Sequence, residues 1–370
     1  MDGFLDYITI KGFKSIASVE KLPLRPVNIV IGANGVGKSN FIQVFDLLRA
    51  LRDGRLKNYI GSAGNADRLL HFGAKTTPKM ELGVAFDKQI NEYNIVLVAA
   101  EGDSLYPDQE IVGYWHKERY DRPYTEILNK VGVSEAAISQ EGLRSKTAVW
   151  VRKRLESWRV YHFHDTGRSS PMKKTADIDD NRFLRPDGEN LAAFLYLLKL
   201  KHPESYGLIL RTVQRVMPAL KDFELAPSLL NETTIQLEWS HVGSEKRFDA
   251  AALSDGSLRF IALATLFLQP EQFRPSLIIV DEPELGLHPA AITLLASLVN
   301  SVSTQTQVIV ATQSALLLDH FEPEDVLVAE LKGQGTVLRR LEPEPLECWL
   351  EDYSLGQLWE KNELGGRPHA

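Results

Sequence analysis

Gly32-Ala33-Asn34-Gly35-Val36-Gly37-Lys38-Ser39 follows the mostly apolar run Val27-Asn28-Ile29-Val30-Ile31 near the start of the chain. The run reads as a buried strand, and the glycines read as a tight turn that opens a helix at Lys38 or just after. In that context the turn cradles phosphate. Glycines let the backbone amides converge on phosphate oxygens, and the helix N-terminus adds a favourable dipole. Lys38 neutralises the terminal phosphates, and the hydroxyl of Ser39 is placed to ligate magnesium. A glycine turn that merely joins strand to helix would not need the lysine and serine at this spacing.

A second segment, over two hundred residues later, completes the reading. Leu277-Ile278-Ile279-Val280 is continuously apolar, as a parallel strand buried on both faces requires, and it ends in Asp281-Glu282-Pro283. Asp281 can reach a magnesium shell, while Glu282 can polarise a water in line with the γ-phosphate. Upstream, Leu253-Ser254-Asp255-Gly256-Ser257 precedes the apolar stretch 258–267, which reads as a helix. A serine hydroxyl and a helix N-terminus suit either N-capping or an anion, and the two uses are compatible.

These motifs together resemble the RecF/SMC/OLD-type ABC ATPases, most closely a compact bacterial group without coiled coil or nuclease domain. The opening Ile8-Thr9-Ile10-Lys11-Gly12-Phe13-Lys14-Ser15-Ile16 looks like that class's first strand. Asp281-Glu282-Pro283-Glu284-Leu285-Gly286-Leu287-His288-Pro289 is similar to its Walker B motif and D-loop. The resemblance implies ATP and Mg2+ as cofactors. It places the nucleotide against Gly32, Ala33, Asn34, Gly35, Val36, Gly37, Lys38, Ser39 and Asn40, with Lys14 beside it and the metal on Ser39 and Asp281. It further implies that Ser254 and Gly256 complete the site of a second copy, and that residues 286–288 contact that copy.

One position departs from the pattern. After Gln307-Val308-Ile309-Val310 many ABC ATPases carry histidine, where this chain has Ala311-Thr312-Gln313-Ser314. Gln313 can donate a hydrogen bond to a γ-phosphate but does not become cationic near neutral pH, so sensing survives and slow turnover is expected. A polar strand end with no ligand is the competing reading. No clear Q-loop glutamine is visible, and His71-Phe72-Gly73 is the only candidate by position, with a packed loop histidine as its alternative.

At 370 residues with a net charge of −7, the chain is long enough for more than one core and is not built to coat nucleic acid by bulk charge. No apolar run is long enough to span a bilayer, and the first ten residues lack a signal-like core, so a cytoplasmic location is expected. Cys348 is the single cysteine. It is expected to be a buried thiol without redox chemistry. Local basic character is densest at Lys146, Arg152, Lys153, Arg154 and Arg159, interleaved with Trp150 and Trp158. On a helix this segment allows contact with DNA, or forms a packing face of Val149, Val151 and Leu155 beside a solvated basic face.

The motif spacing sets the organisation. We expect an N-terminal ATPase lobe over 1–100, an inserted, mostly helical region over 101–232, a C-terminal ATPase lobe over 233–345 and a tail over 346–370. Residues 80–86 and 93–98 read as strands, 191–200 and 208–216 as helices, and 233–239 as a returning strand. No sustained heptad fills the interval, so the insert is globular rather than a coiled coil. The stretches 102–109 and 167–186 read as surface loops. His162 and His164 stand two apart, which on a strand puts both rings on one face. With no third ligand visible, histidines that pack or hydrogen bond at a strand end are the expectation. The tail carries Trp349, Leu350, Tyr353, Leu355, Leu358 and Trp359, expected to pack on the head. The OLD-type nucleases carry a further acidic metal-binding domain after the head, which has no counterpart in these residues.

The expected fold is therefore α/β, a bilobal ABC-type P-loop ATPase head with a globular α+β insertion. The expected function is an ATPase that dimerises head to head and switches or scaffolds a soluble effector, such as a separately encoded nuclease, in DNA repair or antiphage defence. The alternatives are the nucleotide-binding subunit of a membrane transporter and a nearly inactive ATP sensor. The early P-loop and large insert disfavour the transporter, and no membrane partner is expected.

Overall fold

A computed structural model describes residues 3–128 and 133–366. The chain divides into two compact units, Met1–Trp158 with Gln307–Gln313 and Glu322–Ala370, and Arg159–Thr306 with Ser314–Phe321. Within the first unit, residues read as the start of the insert add strands to the N-terminal sheet.

That sheet is antiparallel and runs in the order Ile16–Pro23, Leu5–Phe13, Lys79–Phe86, Asn91–Ala100, Ser104–Tyr114, Tyr124–Ile127. Residues 102–109, expected as a loop, thus lie largely in a strand. Leu105 turns inward and is buried, and Pro107 falls where the register against Val96 and Leu97 shifts. A proline is tolerated at such a bulge because a ladder bond is already missing there. On the sheet's buried positions stand Ile8, Ile10, Leu82, Val84, Tyr93, Ile95 and Leu97. Each large apolar side chain removed from water contributes about 1.5–3 kcal/mol before entropy is counted. Glu110 is also buried there, accepting bonds from Tyr93 and from the amides of Ala137 and Ile138. Burial raises its pKa above the usual carboxylate range.

The first unit also holds the strand that feeds the glycine turn. All five residues of Val27–Ile31 are buried. It pairs in parallel with Gln307–Thr312 on one side and with Val326–Lys332 on the other, and Val326–Lys332 returns antiparallel to Gly335–Arg340. The side chain of Gln307 links this layer to the N-terminal strand, accepting from the Leu5 amide and donating to the carbonyls of Leu5 and Arg25. Helix Lys38–Arg52 carries Phe41 and Phe45 edge to face, with Phe45 and Phe86 against Trp158.

That aromatic cluster changes the reading of the basic segment. Helix Lys146–Glu156 forms as expected, but it buries Ala148, Val151 and Leu155 while Val149 is exposed. Trp158 is core rather than a stacking platform, and Arg154 lies over Trp150, which itself meets Phe86. The tail packs on this unit through Leu355, Leu358 and Trp359 on the capped helix Leu355–Glu360. Trp349 stays about half exposed and Cys348 is exposed, against the expectation of a buried thiol. Helix Glu347–Leu350 buries none of its residues, so nothing draws that thiol inward.

The second unit is built on helices Leu191–Lys201, Pro203–Val216, Asp255–Leu268 and Pro289–Val302. Its central member is Asp255–Leu268, in which every residue from 258 to 267 is buried. Strand Leu277–Asp281 lies beside Trp158–Tyr161. The stretch 233–239 forms two short pieces, Thr234–Ile235 and Glu238–His241, the second within a three-stranded sheet with Leu220–Glu224 and Arg247–Asp249. Among the described residues no helix is long and apolar enough to cross a membrane.

Candidate functional site

In the first unit the glycine loop sits where the parallel strands end. Thr312 pairs with Ile31, so Gln313, half-buried, leaves the sheet at the level of Gly32. The Lys38 ammonium is almost wholly buried and donates to the carbonyls of Gly32 at 2.7 Å and Ala33 at 3.0 Å, folding back over the loop. Gly37 has φ 105°, and a Cβ there would meet Thr336 Oγ1 at 2.2 Å. No side-chain cap closes the N-terminus of helix Lys38–Arg52, and its first turn contains no acidic residue. This combination of a compact cationic group, a glycine-only turn and a helix start without a competing carboxylate fits a nucleotide's phosphates.

Several supports of this loop come from far along the chain and were not visible in the motif. The Thr336 hydroxyl bridges the Val36 carbonyl and Ser15 Oγ, each at 2.7 Å, and Asn40 donates to the same Ser15 oxygen at 2.7 Å. The Ala33 amide donates to the carbonyl of Gly366 at 2.9 Å, so the tail helps set the loop. Lys14 has φ 48°, in the turn between the first two strands, and its ammonium bonds Gln43 on the loop's helix. Burial lowers its pKa. His71 Nδ1 lies 2.7 Å from the Lys14 carbonyl and the His71 amide bonds Gly12, which makes it a packed loop histidine that holds the Lys14 turn.

The second unit carries the acidic and signature residues. Asp281 ends its strand, and Glu282 immediately after it is held at φ 42°. A non-glycine residue in the left-handed region costs of order 1–3 kcal/mol and persists only where the surroundings impose it. Ser254 caps helix Asp255–Leu268, accepting from the Ser257 amide at 3.1 Å and contacting Ser257 Oγ at 2.8 Å, and its residue is exposed. Gly256 shows a close approach that the sequence did not reveal. A Cβ on it would lie 2.2 Å from the Gly286 carbonyl, so the signature turn and the loop after the acidic strand touch backbone to backbone. Gly286 and His288 are exposed, and His288 caps helix Pro289–Val302. Gly256→Ala is expected to force these two turns apart, costing about 1–3 kcal/mol by overpacking. An unchanged denaturation midpoint in that variant would show the contact to be slack.

Arg259, one turn into the same helix, is the buried residue that joins these pieces. Its Nε donates to the Phe163 carbonyl at 2.9 Å and its Nη2 to the His164 carbonyl at 3.1 Å. Burial lowers its pKa, while Asp255 and Glu284 favour its charge. We expect Arg259→Leu, which keeps much of the apolar stem, to destabilise the protein by about 2–3 kcal/mol, because one buried and one part-buried carbonyl lose charged donors. Urea denaturation reads this directly, and Arg259→Lys should recover only part of the loss. His162 and His164 both lie on the exposed face of their segment, near Asp281.

Comparison with known proteins follows the same lines. A family model described as "AAA domain, putative AbiEii toxin, Type IV TA system" matches residues 27–319. Among curated proteins none matches. Among solved structures, the Smc head bound to the C-winged helix domain of ScpA matches with a TM-score of 0.58 at 17% identity, covering 93% of this chain and 99% of that one. A Smc head with an extended coiled coil, bound to the C-terminal domain of ScpA and derived from Pyrococcus furiosus, matches with a TM-score of 0.54 at 15% identity, covering 95% of this chain and 99% of that one. At such identities the likeness is one of fold, that of a Smc head.

Proposed function

The chain belongs to the AAA-domain family whose model spans residues 27–319, and on that premise we propose that it binds and hydrolyses Mg-ATP as a head-to-head dimer. The observation that carries the reading is the buried Lys38 ammonium folded over a glycine loop at an uncapped helix start. Lys38 and the loop amides through Asn40 take the phosphates, and Lys14 flanks them. Ser39 and Asp281 hold magnesium, which supplies charge neutralisation on the phosphate oxygens. Glu282 accepts the proton of the attacking water, and Gln313 donates a hydrogen bond toward the γ-phosphate.

Ser254 and Gly256 serve the nucleotide of the second copy, so that ATP state becomes dimer state. That coupling suits a switch or scaffold for a soluble effector encoded separately. The family's description, which names a toxin of a Type IV TA system, inclines the role toward defence rather than DNA repair. Phosphate release from Mg-ATP by the purified protein tests the enzymatic part, with release above background expected. Gln313 in place of a titratable histidine favours a second reading, a sensor that binds ATP with almost no turnover. Tight ATP binding without phosphate release would select the sensor.

A further inference from the structure

We propose that His162, His164 and Asp281 form a binding site for a divalent transition-metal ion of the zinc class. The sequence supplied two imidazoles at strand spacing and no third group; the fold supplies it. Tyr161 and Phe163 point inward and are buried, which turns His162 and His164 to the opposite, exposed face. Their rings lie 6.1 Å apart at 36°. Asp281 ends the strand Leu277–Asp281 beside Trp158–Tyr161, and one ligand atom from each of the three residues lies within 4.8 Å of the others. An ion about 2.0–2.2 Å from each donor closes that spacing with small side-chain rotations.

The backbone that presents the histidines is fixed independently of any ion. The His162 amide donates to the Pro186 carbonyl at 2.9 Å. Arg259 holds the carbonyls of Phe163 and His164 from the buried side, so its charge is engaged there and with Asp255 and Glu284. A ligand pair already positioned loses little entropy on binding.

Donor chemistry selects the ion. Two imidazole nitrogens and one carboxylate suit zinc, cobalt, manganese or nickel, whereas magnesium demands oxygen ligands and keeps its waters. Three protein donors, two on exposed histidines and one on half-buried Asp281, leave coordination positions for water or another oxygen ligand, the pattern of an open rather than a structural site. The assignment does not depend on nucleotide binding. It does give Asp281 a second use, distinct from the one it has in the proposed function.

Cobalt reports such a site by its visible absorption. Full-length protein without a polyhistidine tag, stripped with chelator and titrated with Co2+, should bind one equivalent. His162→Ala, His164→Ala and Asp281→Asn should each weaken binding by about tenfold or more. Lys38→Ala should retain wild-type Co2+ affinity while losing ATP, which separates this site from the nucleotide reading. Both histidines are exposed, so matching thermal midpoints should accompany their substitution. Wild-type affinity in any one of the three ligand variants, or no more cobalt on the wild type than on a His162→Ala/His164→Ala double variant, overturns the three-ligand site.

Discussion

Glu282→Gln is expected to slow ATP hydrolysis about 10²–10⁴-fold while ATP affinity stays close to that of the wild type, because a general base contributes to the transition state rather than to the bound ground state. The substitution is nearly isosteric and keeps a hydrogen-bonding oxygen, so it removes the proton acceptor without emptying the site. Its backbone setting sharpens the expectation. Glu282 is held at φ 42°, directly after a strand whose four apolar residues are all buried. Glutamine pays the same backbone cost as glutamate, so stability should change little. Single-turnover phosphate release and nucleotide binding, measured on the same preparation, separate the two effects. A variant that hydrolyses at the wild-type rate removes Glu282 from the chemistry and points to another acceptor.

Lys38→Ala should abolish detectable ATP binding at micromolar concentrations, a loss of about 100-fold or more if the charge-assisted bonds to phosphate contribute roughly 3 kcal/mol. A second consequence follows from the geometry. The buried ammonium donates to the carbonyls of Gly32 and Ala33. Removing it leaves both without that donor, so the protein should also lose about 1–2 kcal/mol of stability without nucleotide present. Lys38→Arg keeps the charge but carries a larger planar head into a loop so close-packed that even a Cβ on Gly37 would collide with Thr336, and it should not restore binding. Isothermal titration with ATP and a chemical denaturation curve measure the two losses. Wild-type ATP affinity in Lys38→Ala would mean that the loop does not hold the phosphates.

What could be read from the sequence was whatever a short run of residues determines by itself. The buried strand before Gly32, the helix opening at Lys38, the acidic end of 277–281 and the capped helix after Ser254 are all local patterns of period or turn chemistry, and the fold contains each of them. What could not be read arises from contacts between residues far apart in the chain. Thr336 on the Val36 carbonyl, Gly366 on the Ala33 amide and Arg259 on Phe163 and His164 join positions separated by about a hundred to over three hundred residues. No period encodes them. Arg259 did leave one sign, as the single charged residue in an otherwise apolar helix run, which a buried helix tolerates only when the charge has partners. The strand that begins at Ser104 was missed for a related reason. Turn formers and charges in 102–109 mask a strand whose identity rests on its neighbour, and β preference is decided by pairing more than by composition.

In the proposed function, nucleotide converts this chain into a dimer with composite sites. Light-scattering mass of the wild type and Glu282→Gln, each with Mg-ATP and with ADP, is the decisive test of that conversion. Glu282→Gln should be a dimer in Mg-ATP and a monomer in ADP, and adding Ser254→Arg should abolish the dimer. A mass that ignores nucleotide in both proteins, or a dimer that Ser254→Arg leaves intact, would contradict it.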